Sequence, residues 1–291
     1  MKLFAVIPTI RPAMWGRFIR KWTPLFKKWN VRVVKVSDGN FPTVQLDGEK
    51  EKTASGVMGP HGLCIYNKCD AVRNLGFALA YLNGAEAILS LDDDVEPIPG
   101  EDPINDHLRA LSSNFPVSWL NTGEQLYMRG FPYGVRQEAE CVLSHGVWTG
   151  MPDLDAPTQL LFGAGSEFFP PRLPVPKGAY FPCCAMNMAF KIKILPYIYQ
   201  APAVDGVQRF SDIFAGIAAK KEIDRRGWCA VTGFATVHHT RASDPFVNLE
   251  KEGKGIRLNE SFWKGDCGDP YFKEYFKALE LWREFLVKNK P

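Results

Sequence analysis

The chain alternates between short unbroken apolar runs and stretches whose apolar residues recur every three or four positions. Leu3–Ile7 is a continuous apolar run stopped by Pro8 and Thr9, the pattern of a strand buried on both faces. Trp15, Phe18, Ile19, Trp22 and Phe26 fall on one helical face, and Pro24 is expected to kink or end that helix. Val31–Val36 is a second buried strand, closed by Ser37-Asp38-Gly39-Asn40, a turn signal. Residues 41–64 are rich in Gly, Pro, Lys and Glu and read as a loop. Asp70 is placed to cap a helix whose apolar face is Val72, Leu75, Leu79 and Leu82. Asn83-Gly84 stops it, and the next apolar run ends in Asp92.

Strand, helix, strand, helix, strand predicts an α/β fold with a mostly parallel, doubly wound central sheet and flanking helices. The second half is less regular. Residues 149–182 hold many Pro and Gly and read as loops and short strands. Gln208–Arg225 has helical character, and Ala230–Val237 reads as a strand. Phe272, Tyr275, Phe276, Leu279, Trp282 and Leu286 mark a C-terminal amphipathic helix. No repeat and no linker divides the chain, so one domain over 1–291 is expected.

Composition narrows the classes. Of 291 residues, 46% are hydrophobic, enough for a large core. The net charge of +3 comes from scattered Lys and Arg, which excludes a nucleic-acid footprint. Seven cysteines, an odd number with no CxxC spacing, point to free thiols in a reducing cytoplasm. Cys183 and Cys184 are adjacent, which disfavours a bond between them. No run is long enough to span a membrane, and Leu3–Ile7 is too short for a signal-peptide core.

The candidate chemistry lies where the third apolar run ends. Ile88-Leu89-Ser90-Leu91 runs directly into Asp92, Asp93 and Asp94. Three adjacent carboxylates repel one another and are poor strand residues. Either they form a solvated acidic turn or something positive neutralises them. A divalent cation carrying phosphate fits, since oxygen ligands suit Mg²⁺ or Mn²⁺. That points toward a nucleotide-sugar enzyme with a DxD-type element. Ligands of parallel sheets bind at the carboxyl ends of the strands. Three such ends supply Pro8-Thr9, Asp38-Gly39 and the aspartate triplet. Asp38 either accepts a hydrogen bond from a uracil imide or makes an Asx-type turn with Gly39.

Longer stretches carry a resemblance. They include Val6-Ile7-Pro8-Thr9-Ile10-Arg11, Ser90-Leu91-Asp92-Asp93-Asp94, and Arg129-Gly130-Phe131-Pro132-Tyr133-Gly134-Val135-Arg136. Further along come Ser144-His145-Gly146-Val147-Trp148, Pro152-Asp153-Leu154-Asp155-Ala156-Pro157, and Cys183-Cys184-Ala185-Met186-Asn187. Arg209-Phe210-Ser211-Asp212 and Ser243-Asp244-Pro245-Phe246-Val247-Asn248 complete the series, which extends to about residue 256. In order and content these stretches resemble the reversibly glycosylated polypeptides, the UDP-arabinopyranose mutases.

The resemblance implies a GT-A glycosyltransferase-like fold. Residues 1–100 would form its nucleotide-binding half, 101–260 its sugar-binding and catalytic half, and 261–291 a helical tail. It implies interconversion of UDP-arabinopyranose and UDP-arabinofuranose, with Arg129 reversibly glycosylated and Arg136 needed for activity. An N-glycosyl guanidine has a nitrogen lone pair that opens the sugar ring, whereas a glycosyl phosphate has none. Arginine is almost always protonated, so a carboxylate must take its proton; Asp155, Asp212 and Asp153 are the candidates. Asp92, Asp94 and His239 are the expected metal ligands. Pro8, Thr9, Arg11, Asp38, Arg73, Asp92, Asp93, His145, Asn187 and Lys254 are the expected contacts to the UDP-sugar. For Arg73 the plain alternative is an i,i+3 ion pair with Asp70; for Lys254 it is a surface charge. A homo-oligomer is possible within such a family. Two alternatives stay open: a transferase moving sugar from a UDP-sugar to a separate acceptor, and a non-catalytic UDP-sugar-binding partner of a mutase.

Overall fold

The computed structural model describes residues 1–117, 129–130, 132–135, 138–163, 172–240 and 243–290. In chain order the elements are β1 (Leu3–Thr9), α1 (Pro12–Lys28), β2 (Arg32–Ser37), β3 (Thr43–Leu46), β4 (Lys52–Thr53), α2 (Ala54–Met58), α3 (Arg73–Leu82) and β5 (Ala87–Leu91). They continue with β6 (Val95–Pro97), α4 (Pro103–Leu111), β7 (Asn114–Pro116), β8 (Glu138–Gly150), α5 (Ala156–Phe162), β9 (Leu173–Pro174) and β10 (Asn187–Lys191). Last come α6 (Ser211–Arg225), β11 (Cys229–His239), α7 (Pro245–Lys264) and α8 (Pro270–Lys288).

The central sheet runs β4-β3-β2-β1-β5-β10-β8-β11-β6. β1 pairs in parallel with β2 and β5, and β8 pairs in parallel with β11. β10 lies between the two sets, antiparallel to both β5 and β8. The long strands β1, β2, β5, β8 and β11 therefore all point one way, as the α/β pattern predicts. A side-chain period of two lets β1 serve both faces of the sheet. Phe4 and Val6 join the core under α3, α6 and α8, while Leu3, Ala5 and Ile7 join the core under α1 and α4.

Several local expectations need correction. β1 continues through Pro8 to Thr9. Its pairing runs register by register to Thr9↔Ser37. α1 does not stop at Pro24. One missing N–H is outweighed by Phe18, Trp22 and Phe26, which are buried and stacked along one face. The stretch read as loop contains β3 and β4, because Val44 and Leu46 turn inward against β2. Asp70 does not cap α3; it opens a 3₁₀ turn over Asp70–Val72. The long helix α7 was not anticipated, although Asp244 caps it and Pro245 occupies its first position.

α3 packs close on the sheet because of Gly76. A Cβ there would come within 2.4 Å of Val6 Cγ1 and 2.7 Å of Val36 Cγ2. This approach brings Arg73, at the start of α3, and Asp70, in the 3₁₀ turn before it, to the end of β5.

Candidate functional site

β1, β5, β8 and β11 share one carboxyl-terminal rim, and antiparallel β10 starts from the same rim. The rim collects Asp92 and Asp94 after β5, Met151, Pro152 and Asp153 after β8, and His239 at the end of β11. Cys184 and Met186 arrive just before β10. Asp70, Arg73, Arg209 and Asp212 also line it, with buried Gln159 and Asn248, and exposed Ser243 and Lys251 lie at its lip. Together they enclose a cleft of about 340 Å³.

The aspartate triplet divides. Asp93 is buried and points out of the cleft lining, accepting from Thr9 Oγ1 at 2.6 Å and pairing with the Arg11 guanidinium. Arg11 Nη2 also lies 3.3 Å from Asp94 Oδ2. Asp92 pairs with the guanidinium of Arg73, which is 1% exposed. Arg73 Nη1 donates to Ser90 Oγ at 3.0 Å and to the Leu91 carbonyl at 3.1 Å. A bound cation was expected to neutralise the triplet, and two arginines already do part of this. Arg73 is committed to the cleft floor through both Nη atoms. The i,i+3 ion pair with Asp70 is not what holds it.

β6 pairs antiparallel with β11, so that Val95 faces His239. The Asp94 carbonyl accepts from Thr240 N at 3.3 Å and from Thr240 Oγ1 at 3.1 Å. These contacts set His239 Nε2 3.7 Å from Asp94 Oδ1. The other ring nitrogen, Nδ1, is 2.6 Å from the Met151 carbonyl. Because a carbonyl only accepts, Nδ1 carries the proton in the neutral ring and Nε2 turns a lone pair toward Asp94. Burial raises the Asp94 carboxyl above its ordinary range, helped by the neighbouring Asp92 charge.

Opposite lies a second acidic group. Asp153, Cys184 and Asp212 bring ligand atoms within 4.8 Å of one another. Burial lifts Asp212 to about 6, with Asp153 the next cause, while a hydrogen bond from Ala185 N opposes the rise. Burial also raises Asp153, which accepts from the Cys184 thiol. The thiol itself is held well above its usual range by burial and then by Asp153. Asp70 reaches about 7 through burial, although Arg73 pulls it down. The cleft is thus crowded with carboxyl groups, and burial raises the proton affinity of Asp70, Asp94, Asp153 and Asp212.

Arg209 holds a left-handed backbone, φ 61°, which costs roughly 1–3 kcal/mol for a residue with a Cβ. Its Nε donates at 2.9 Å to Glu252 of α7, a carboxylate with only 4% of its side chain exposed. The other oxygen of Glu252 accepts from Ala156 N at the start of α5, 2.8 Å away.

Of the expected site residues, Arg73, Asp92, Asp94, Asp212 and His239 meet in the cleft. Asp153, weighed as a proton acceptor, is there as well. Thr9, Arg11 and Asp93 lie behind it as a supporting cluster, beside Pro8. Asp155 caps α5, accepting from Thr158 N at 3.0 Å and Thr158 Oγ1 at 2.7 Å. Asp38 Oδ1 accepts from Gly39 N and Lys68 N, each at 2.8 Å. His145 is buried between Trp148 and Phe181, and burial lowers it to about 4. Asn187 bridges His107, Val147 and Ala235 inside the sheet. Lys254 reaches the Asp205 carbonyl. Arg129 is exposed and does not line the cleft; Arg136 lies outside the described residues. Sequence reasoning missed Arg209, Glu252 and Lys251. The N-cap signature Asp244-Pro245 could have revealed α7, and with it the last two.

A model of the reversibly glycosylated polypeptide family matches residues 2–265. UDP-arabinopyranose mutase 3 of Arabidopsis thaliana is 33% identical, over all of this chain and 86% of its own. UDP-arabinopyranose mutase 1 of Oryza sativa subsp. japonica is 32% identical, over all of this chain and 86% of its own. A distant likeness, 12% identical with a TM-score of 0.47, links 92% of the chain to 81% of glucosyl-3-phosphoglycerate synthase from Mycobacterium tuberculosis. Among the described residues, no helix is long and apolar enough to cross a membrane.

Proposed function

The chain belongs to the reversibly glycosylated polypeptide family, and on that premise we propose that it is a UDP-sugar mutase interconverting UDP-arabinopyranose and UDP-arabinofuranose. The observation that carries this reading is the pairing of Asp94 with an oriented His239 in a cleft at the strand ends. Two carboxylates and a fixed imidazole lone pair are a donor set suited to a divalent cation such as Mn²⁺. Asp92, Asp94 and His239 would hold it. When bound, it would stabilise charge on the departing diphosphate.

The remaining chemistry belongs to the chain. A guanidine nitrogen of Arg129 attacks the anomeric carbon; the N–C bond forms as the C–O bond to UDP breaks, and UDP leaves with the electron pair. This requires Arg129 to reach the cleft. Asp212 or Asp153 takes the guanidinium proton. Asp155 is a poor choice because Thr158 occupies both of its oxygens. The nitrogen lone pair then expels the ring oxygen, which takes the proton back. The 4-hydroxyl adds to the anomeric carbon as the C=N electron pair returns to nitrogen, its proton passing to the carboxylate. A diphosphate oxygen of UDP then forms the C–O bond as the C–N bond to Arg129 breaks, and the guanidine leaves with the electron pair and regains its proton. The family resemblance implies that Arg136 is needed for activity. Asp38 receives the base, while Thr9, Arg11 and Asp93 brace the triplet.

One observation favours a second reading. Arg129 is exposed outside the cleft lining, which suits transfer of sugar to a separate acceptor. Incubating the protein with UDP-arabinopyranose and Mn²⁺, then resolving the nucleotide sugars by chromatography, separates the two. Furanose nucleotide is the expected product. Arabinose on an added acceptor without furanose would favour the second reading, and no turnover of either kind would defeat both.

A further inference from the structure

We infer that Arg209, posed by Glu252, is the clamp for the diphosphate of the nucleotide sugar, with Lys251 as an outer cation. The inference rests on reading the cleft as a UDP-sugar site and assigns its anion contacts.

A diphosphate entering this cleft meets mostly carboxyl groups. Among the described lining residues the permanent cations are Arg73, Arg209 and Lys251. Arg73 is already engaged: Nη2 holds Asp92, and Nη1 holds Ser90 and the Leu91 carbonyl. That leaves Arg209 and Lys251 for the phosphate oxygens.

The way Arg209 is held matches this task. Glu252 takes only Nε. Among the described residues both Nη atoms remain for a bidentate contact, the geometry in which guanidinium recognises phosphate. Glu252 is itself fixed, because its second oxygen is tied to the start of α5. Arg209 keeps a left-handed backbone that a glycine would adopt without strain. Strain of this kind persists where the surroundings over-determine a residue, often at ligand clamps. Lys251 sits next to Glu252 and is exposed at the lip. It is a mobile point charge, suited to attracting the anion rather than aligning it.

The test compares UDP with uridine, which shares the base and ribose but lacks the diphosphate. Calorimetric titrations in Mn²⁺ would use wild type, Arg209→Gly, Arg209→Lys and Glu252→Gln. Arg209→Gly is the informative variant, since it removes the guanidinium and relieves the backbone; Arg209→Gly/Glu252→Gln, which leaves no unpaired buried carboxylate, repeats the measurement in a fold that should survive. We expect UDP affinity to fall about 10- to 100-fold, the worth of charged hydrogen bonds, while uridine affinity is unchanged. Arg209→Lys should recover only part of the loss. Glu252→Gln should show a smaller loss, again for UDP alone. Unchanged UDP binding in Arg209→Gly would overturn the clamp, as would equal losses for UDP and uridine. If wild type itself binds UDP no better than uridine, the reading of the cleft fails rather than the assignment of Arg209.

Discussion

His239 turns Nε2 toward Asp94 Oδ1 across 3.7 Å, with its ring held by the Met151 carbonyl. The distance is too long for a hydrogen bond and suits two ligands of a shared ion. We expect His239→Ala to weaken Mn²⁺ binding by at least about tenfold, since even outer partners of metal ligands matter that much. Electron paramagnetic resonance of free Mn²⁺ during titration reads this directly. Wild-type affinity in the variant would remove His239 from the ligand set.

Arg73 makes a different kind of contribution. It is almost wholly buried and balances Asp92 at the cleft floor. Removing one partner of such a pair leaves an uncompensated charge. Arg73→Met should therefore destabilise the protein by on the order of 3 kcal/mol, measured by urea denaturation. The double variant Arg73→Met/Asp92→Asn should recover part of that loss. No recovery would mean that packing, rather than charge, dominates.

Asp212 links stability to pH. Burial keeps its proton to about pH 6 in the folded protein, whereas an unfolded aspartate releases it near ~4. Between those values the native state binds more protons, so stability falls as pH rises. Asp212→Asn carries no charge to bury. We expect its melting temperature to exceed wild type at pH 7.5 and the gap to shrink toward pH 4.5, with mutase turnover reduced. A gap independent of pH would contradict the buried-charge explanation.

Gly76 tests how the site is set by packing. A methyl group there collides with Val6 and Val36. Gly76→Ala should destabilise by about 1–3 kcal/mol and weaken UDP binding, because α3 and the 3₁₀ turn leading into it carry Arg73 and Asp70 to the cleft. A variant as stable as wild type would show that α3 can shift outward freely.

Much of this was legible beforehand. The runs Leu3–Ile7 and Ile88–Leu91 became β1 and β5, since strands buried on both faces leave an unbroken apolar record. Asp92 and Asp94 stood out because an acid cluster at a strand end is costly without a partner. The partners were harder to see. Arg11 and Arg73 lie over 80 and nearly 20 residues from the aspartates they meet, and no local pattern encodes such pairings. β10 inserts antiparallel between β5 and β8, a topological choice that helix–strand alternation does not reveal. Glu252 lies on a segment to which the sequence pattern assigned no element. Its burial follows from α7 packing on α5, which only the fold supplies.

The central claim is that a guanidine nitrogen carries the sugar. Intact-mass spectrometry of the protein after incubation with UDP-arabinopyranose and Mn²⁺ tests it most directly. We expect one pentose adduct, mapped by peptide sequencing to Arg129, lost on adding excess UDP and absent in Arg129→Ala. Full mutase turnover in Arg129→Ala, or turnover by wild type with no adduct at any time, would contradict it.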